Sequence, residues 1–284
     1  MILDKVITIR NLREALRLID KYRSRAVLLA GGTNVLIDIQ DGSIKDKILI
    51  DISEIKNLRG IVESKDELII LPLTTFDELN KSKLIEKYAP PLKESAYCMG
   101  SMQIRNIATI GGNIINASPT AESIPPLMVL DAILELTSVK GKREMKIEDF
   151  FTGCNVCKIK GNEILTKIKF KKMKKDEIGF YQRLAKRKHL SISKVSVAFK
   201  ARLVEKHFQD VRVALGAVAA TVIMAKKASQ FLEGKPFTEK IIKETARIAS
   251  SEATPITDVR STEEYRRKMV ESLLLKGFYH YLSK

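Results

Sequence analysis

The sequence predicts an α+β protein, and three observations carry that prediction. At 284 residues the chain exceeds one minimal domain and falls short of three independent ones, which favours two compact units. Hydrophobic residues at 45% and charged residues at 30% suit a packed core and argue against a disordered chain. Strand-like and helix-period segments mix through the first part of the chain. Beyond residue 175 three strands precede three helices, the order of a separate α+β domain.

The spacing of Leu12, Ala15, Leu16 and Ile19 behind Asn11 predicts a helix over Leu12–Tyr22, with Glu14 placed as in a capping box. The apolar run Ala26–Ala30 reads as a buried strand, Gly31-Gly32-Thr33-Asn34 as a turn, and Lys47–Asp51 as a second strand. A strand over Glu67–Leu71 follows. Thr75 and Glu78 then open a short helix as a second capping-box pair, and another helix runs near Leu92–Met99. Gly100–Asn116 mixes Gly, Asn, Ser and Thr with isoleucines, and reads as an ordered, partly buried loop with strand character. Strands are expected at Ile133–Thr137, Glu144–Ile147 and Glu163–Phe170. The lysine-rich run Lys167–Lys175 marks a solvated domain boundary. After it, strands at Gly179–Leu184, Ser193–Leu203 and Val211–Val218 lead into helices at Lys226–Leu232, Glu239–Ser251 and Thr262–Leu282.

Composition excludes several classes. No uninterrupted apolar stretch reaches 18 residues, so no membrane-spanning helix is expected, and Met1–Arg10 lacks a signal-peptide core. Three cysteines, an odd number, make a disulfide framework unlikely on arithmetic alone and point to a reducing cytoplasm. The 50 Lys+Arg against 34 Asp+Glu leave a net charge of +16. That balance admits nucleic acid, anionic ligands or acidic protein partners, although scattered lysines read most simply as a solvated surface.

Two glycine-centred motifs carry chemistry. Leu29-Ala30-Gly31-Gly32-Thr33-Asn34 follows a strand, where a Gly-Gly pair lets backbone amides approach a phosphate oxygen and form an anion-binding nest. Thr109-Ile110-Gly111-Gly112-Asn113 repeats the grammar of hydroxyl, apolar residue, Gly-Gly and amide. Either pair alone is most simply a tight turn. Together they suit a clamp on the two phosphates of a dinucleotide. Neither matches a Rossmann fingerprint or a Walker loop.

The stretch from Gln103 through Ser123, with the early Ala-Gly-Gly-Thr turn, Asp149-Phe150-Phe151-Thr152-Gly153, Glu163-Ile164-Leu165 and the Arg183–Ile192 segment, resembles the flavin-binding medium subunit of molybdenum hydroxylases, such as the xanthine, carbon monoxide and nicotinate dehydrogenase flavin subunits. The resemblance spans nearly the whole chain. It implies a fold of the vanillyl-alcohol-oxidase (PCMH) type in two FAD subdomains, 1–56 and 57–172, and a C-terminal domain over 175–284 with a three-stranded antiparallel sheet and helices. It implies FAD as cofactor, a small partner subunit with two [2Fe–2S] clusters, a large molybdopterin subunit, and NAD⁺, a quinone or another group as acceptor.

The resemblance also assigns residues. Val27, Leu28, Leu29, Ala30, Gly31, Gly32, Thr33 and Asn34 would line the pyrophosphate and ribityl chain. Thr109, Ile110, Gly111, Gly112 and Asn113 would form the second wall. Glu122 falls where the family usually has Asp, one methylene shorter, and Arg183 where it usually has Lys. Leu165 would contact the cofactor through its backbone or apolar side chain. Met99 stands where relatives carry an aromatic, which leaves less stacking on the ring. Leu190–Ile192 would lie near the isoalloxazine edge, or form a strand-entry loop with no ligand role.

No acid–base pair is demanded, because the cofactor carries the chemistry and the protein positions it. His189, His207 and His280 read as surface or packing residues, and no catalytic residue is assigned. Cys154 and Cys157 form a Cys-x-x-Cys pair that relatives usually lack. Such spacing can hold zinc or an iron–sulfur cluster, but with only Cys98 as a third thiol a four-cysteine site within one chain is excluded, and two half-buried loop thiols are the simpler reading. The lysines at 171, 172, 174 and 175, and Lys186-Arg187-Lys188, lack the aromatics and motifs of nucleic-acid binding. They suit a solvated loop, an acidic partner subunit or an anionic dinucleotide such as NAD⁺. The competing class is a non-enzymatic basic scaffold or nucleic-acid-binding module that keeps the fold.

Overall fold

Short apolar strands and one amphipathic helix build the first unit: β1 (Leu3–Thr8), α1 (Leu12–Tyr22), β2 (Ala26–Leu29), α2 (Val35–Gln40) and β3 (Lys47–Asp51). The strands form a parallel sheet in the order β1-β3-β2. Asn11 caps α1 as expected, its Oδ1 accepting the amides of Arg13 and Glu14 at 2.8 and 3.4 Å. The computed structural model describes residues 3–187 and 189–282. Lys188, grouped above with Lys186 and Arg187, lies outside the described residues, as do Met1 and Ile2 of the N-terminal segment. The strand β1 and the helix α2 go beyond the sequence expectation. Val35 and Ile37 are β-branched and weakly helical, and no residue of α2 is fully buried.

The second unit contains β4 (Ile61–Glu63), β5 (Glu67–Ile70), α3 (Phe76–Lys81), α4 (Lys83–Tyr88), α5 (Pro90–Cys98), α6 (Met102–Ile107), α7 (Ile110–Ile115), α8 (Ile124–Val129), β6 (Ile133–Ser138), β7 (Gly141–Lys146), β8 (Phe151–Gly153), β9 (Val156–Cys157) and β10 (Ile164–Lys171). Five of these strands form an antiparallel sheet, β4-β5-β10-β6-β7, while β8 and β9 make a small hairpin. Phe76, Ile85, Leu92, Ile110 and Leu127 from the helices close over Leu68, Ile70, Leu134 and Ile168 of the sheet in one core. The Thr75–Glu78 capping box is present in both directions.

One expectation is overturned. Gly100–Asn116 holds no strand beyond a single β-bridge from Thr109 to Thr75, and folds as the two helices α6 and α7. Ser101 Oγ accepts the Ile104 amide at 3.2 Å and Thr109 Oγ1 accepts the Gly112 amide at 3.1 Å, so each helix has its own cap. Ile110 and Ile114, four residues apart, are fully buried. Tertiary burial thus offsets two glycines inside one short helix. Lys167, Lys169 and Lys171 belong to β10, and residues 172–175 of the lysine run lie between β10 and the next strand.

The third unit has β11 (Glu177–Ala185), β12 (Ser193–Val204), β13 (His207–Gly216) and β14 (Ile223–Met224), then α9 (Lys226–Leu232), α10 (Glu239–Glu252) and α11 (Glu263–Leu282). The three long strands are those expected, and β14 adds a two-residue edge to make four. Phe180, Phe199, Phe208 and Phe278 stack edge-on and face-on in its core. Arg212 fastens this unit to the second, donating through Nε and Nη2 to the Met128 carbonyl at 3.1 and 3.0 Å.

Candidate cofactor-binding site

Strand β2 is wholly apolar, yet none of its four residues is fully buried. It is the edge of its sheet, and its open side borders a cavity of about 800 Å³ shared with the second unit. That volume lies in the range of small-molecule and cofactor sites. The cavity is lined by Val27, Leu28, Ala30, Gly31, Gly32, Thr33 and Asn34 on one side and by Thr109, Gly111, Gly112 and Asn113 on the other. The two glycine motifs therefore face each other across one cleft, with Met99 and Leu165 also in its lining.

The first turn is an open donor surface. Gly32 takes φ +72°, a conformation that favours glycine. A Cβ on Gly31 would come within 2.0 Å of the Ile107 carbonyl oxygen, so glycine here lets β2 run directly against the end of α6. Among the described residues, the amides of Gly32, Thr33 and Asn34 donate to no backbone acceptor, and the side chains of Thr33 and Asn34 make no hydrogen bond. Polar groups at a cavity wall with no internal partner are set for a ligand.

The second motif is built differently. The Ile110 amide donates to Thr74 O at 3.0 Å, the Gly111 amide to Pro72 O at 2.9 Å and the Gly112 amide to Thr109 Oγ1. Its amides are spent on its own fold, so it offers surface in place of a second nest. A Cβ on Gly111 would meet Pro72 Cβ at 2.5 Å, whereas one on Gly112 would meet only Thr109 Oγ1, at 3.0 Å, and otherwise point into open space. Asn113, which lines the cleft, accepts at Oδ1 from Ser123 Oγ at 2.7 Å, and its side-chain nitrogen makes no hydrogen bond among the described residues. Donor turn, glycine clearance and volume together fit the diphosphate of an FAD.

Five residues assigned by resemblance fall outside the cleft lining: Leu29, Ile110, Glu122, Arg183 and Ile192. Leu29 and Ile110 sit behind it, Ile110 fully buried. Glu122 and Arg183 instead meet each other: Arg183 Nη1 lies 2.5 Å from Glu122 Oε1, and both side chains are buried. Ser193 Oγ donates to Glu122 Oε1 at 2.9 Å and the Tyr181 hydroxyl donates to Oε2. The Glu122 carboxylate thus joins the 119–123 loop to β11 and β12. Burial raises the Glu122 carboxyl above its ordinary value, with the Arg183 charge opposing. Burial and the facing carboxylate push the Tyr181 hydroxyl up well above its own. Ile192 lines a separate, smaller cavity with Lys186, Arg187 and Lys194.

The lining includes residues that no sequence signal singled out. Asn155 occupies the β8–β9 turn at φ +57° and donates through Nδ2 to Asn116 O at 2.8 Å. Lys160 brings a cation that has no carboxylate within ion-pair distance among the described residues. Its amide donates to Glu163 Oε2, and Arg143 donates to the same carboxylate, through Nε to Oε1 at 2.7 Å and through Nη2 to Oε2 at 2.8 Å. Burial raises Glu163, but the Arg143 and Lys160 hydrogen bonds prevail and hold it below its ordinary value. Asn155 and Lys160 were legible only as loop residues, since their role depends on where the hairpin folds. Cys154 is exposed in that turn and Cys157 is half-buried, its thiol pushed up by burial. Among the described residues no group of three or more His, Cys, Asp or Glu side chains could hold a metal ion.

Comparison with known proteins extends the geometry. Residues 4–170 match the family described as the FAD binding domain in molybdopterin dehydrogenase, and residues 180–281 match the CO dehydrogenase flavoprotein C-terminal domain. The chain is 31% identical to the xanthine dehydrogenase FAD-binding subunit of Escherichia coli O157:H7, over 89% of this chain and 87% of the relative. It is 28% identical to the nicotinate dehydrogenase FAD-subunit of Eubacterium barkeri, over 95% and 93%. Its structure superposes on a chain of the carbon monoxide dehydrogenase of Hydrogenophaga pseudoflava with a TM-score of 0.93 at 26% identity, covering 97% of this chain and 96% of that one.

Proposed function

The chain belongs to the family of FAD-binding subunits of molybdopterin dehydrogenases, and from that premise we propose that it passes electrons between a partner's iron–sulfur clusters and an outside acceptor. It is the flavoprotein subunit of an oxidoreductase, and its cofactor is FAD. When bound, FAD accepts and releases electrons one or two at a time, which links one-electron clusters to either class of acceptor. The partners are a small subunit with two [2Fe–2S] clusters and a large molybdopterin subunit, and the acceptor is NAD⁺, a quinone or a similar oxidant.

The observation that carries this reading is the shared cleft, with unspent donors on one wall and a glycine-cleared helix on the other. The amides of Gly32, Thr33 and Asn34 hold the diphosphate, and Lys160 and Asn113 supply further polar contacts. Residues 1–56 and 57–172 act as the two halves of the clamp, and 175–284 closes over it. The Glu122–Arg183 pair fixes that closure. No helix among the described residues is long and apolar enough to cross a membrane, and we place the subunit in the cytoplasm.

The assembled complex tests the route. Its clusters are reduced with dithionite, and reduction of NAD⁺ or a quinone analogue is followed before and after FAD is removed and restored. Acceptor reduction that depends on FAD is the expected result. Equal rates without FAD would remove the chain from the electron path.

A further inference from the structure

A second surface, outside the cofactor cleft, has an unusual combination of charge and exposed apolar groups. Lys186, Arg187 and Lys194 surround a cavity of about 450 Å³, with Arg260 on its far side. No carboxylate lines it among the described residues. Lys186 and Arg187 are exposed and Lys194 is half-buried; Arg187 donates to Leu190 O at 3.0 Å and Lys194 lies over the Tyr265 ring, but none of the three has a carboxylate within ion-pair distance among the described residues. Asp258, two residues before Arg260, is already held by Arg266 at 2.7 Å and shared with Arg260 at 3.6 Å.

Apolar side chains are exposed beside these cations. Leu190 and Ile192 are each 55% exposed, and on the turn that carries Arg260, Ile256 is 71% and Val259 97% exposed. Aliphatic groups this open, interleaved with arginine and lysine, are the composition of a protein interface. They extend beyond the cavity itself, so a small anion would leave them uncovered.

This surface adjoins the cofactor cleft. The Leu190 amide donates to Gly100 O at 3.3 Å, and the preceding residue, Met99, lines the cleft. Arg183 donates to Ser191 O at 3.2 Å and so ties the same loop to the Glu122 pair. A partner seated on the loop is therefore brought up against the cofactor end of the molecule.

We propose that this basic and apolar face is the docking site for an acidic, one-electron carrier protein that takes electrons from the reduced flavin. The inference rests on the electron-transfer reading above and names the acceptor class for it. Two carrier molecules in turn each gain one electron at their own metal centre. Together they remove the two electrons of reduced FAD, whose two protons pass to water. Complementary charge gives fast encounter that weakens with salt, as in transient redox complexes with small interfaces.

Cytochrome b5, an acidic haem protein, serves as the probe, and basic cytochrome c as its charge opposite. Flavin-loaded full-length chain is photoreduced and mixed with each, at rising ionic strength. Electron transfer to cytochrome b5 should be fast at low salt and slow steeply as salt rises, and transfer to cytochrome c should lack that slope. Lys194→Glu/Arg260→Glu should lower the low-salt rate with cytochrome b5 by about tenfold or more. Lys240→Glu/Lys276→Glu, an equal charge change on exposed positions elsewhere, should lower it far less. Direct binding of cytochrome b5 to the same proteins, with and without FAD, gives a second readout that does not need the flavin. Loss of FAD alone would count against the proposed function, and binding would still decide the docking face. Equal rates and binding in both double variants would overturn the proposal. So would failure of the Lys194→Glu/Arg260→Glu chain to assemble with its partner subunits, which would make this face a subunit interface, or competition for it by NADH.

Discussion

The two Gly-Gly motifs read alike and work differently. In the first, Gly32 has a left-handed φ and its neighbours keep their amides free toward the cleft. In the second, the same pair sits inside α7, and every amide from Ile110 to Asn113 is committed to Thr74, Pro72 or Thr109. One motif donates and the other makes room. The lesson is that a Gly-Gly pair specifies a lack of side chain, and the elements on either side decide whether the gain is a free amide or a close approach.

Variants can break that comparison, and the largest effect is expected at Gly31. Gly31→Ala places a methyl 2.0 Å from the Ile107 oxygen, a backbone atom that cannot yield without moving α6. A loss of about 3 kcal/mol is expected, with a drop in Tm of roughly 10 °C for a chain this size, and with FAD no longer retained. Gly111→Ala comes next. Its methyl meets Pro72 Cβ at 2.5 Å, but the gain in helix propensity offsets part of the strain, so about 2 kcal/mol is expected by denaturant titration. Gly32→Ala should cost about 1–2 kcal/mol of stability through its positive φ and also weaken FAD binding, since the amides that follow it turn away.

Much of this architecture is legible in the residues. The helix over Leu12–Tyr22, the Thr75 capping box and the last three helices follow from period and cap, which are local signals. Gly100–Asn116 misleads, because three glycines and three Asn suppress the helical pattern that the buried Ile110 and Ile114 restore only in three dimensions. The first turn is visible as a donor surface from its neighbours alone. The Glu122–Arg183 pair is 61 residues apart in sequence and was readable as two charges, never as one bond. Asn155 and Lys160 enter the cleft only because a small hairpin folds over it.

A smaller effect separates the cleft from its surroundings. Glu94 on α5 accepts the Tyr181 amide at 2.6 Å, and burial of its carboxyl raises it to about 7 against that bond. The folded state then holds the proton more tightly than the unfolded state. The stabilisation is complete below about pH 4.5 and is lost as pH rises to about 7. Glu94→Gln should flatten the fall in Tm between about pH 5 and pH 8 while leaving FAD affinity unchanged. A change in FAD affinity in that variant would place Glu94 in the binding site and weaken the separation drawn here.

On this reading the cofactor lies between an amide-donating turn and a helix cleared by glycine. Gly112 tests it most directly, because its missing Cβ opens on the cleft and on Thr109 Oγ1 alone. FAD affinity is measured by flavin absorbance after desalting, beside the Tm of the flavin-free chain, for the parent and for Gly112→Ala. Gly112→Ala should keep a flavin-free Tm within about 2 °C of the parent and bind FAD at least about tenfold more weakly. Unchanged FAD affinity with an intact fold would contradict it, and the cofactor would then have to lie elsewhere than against α7.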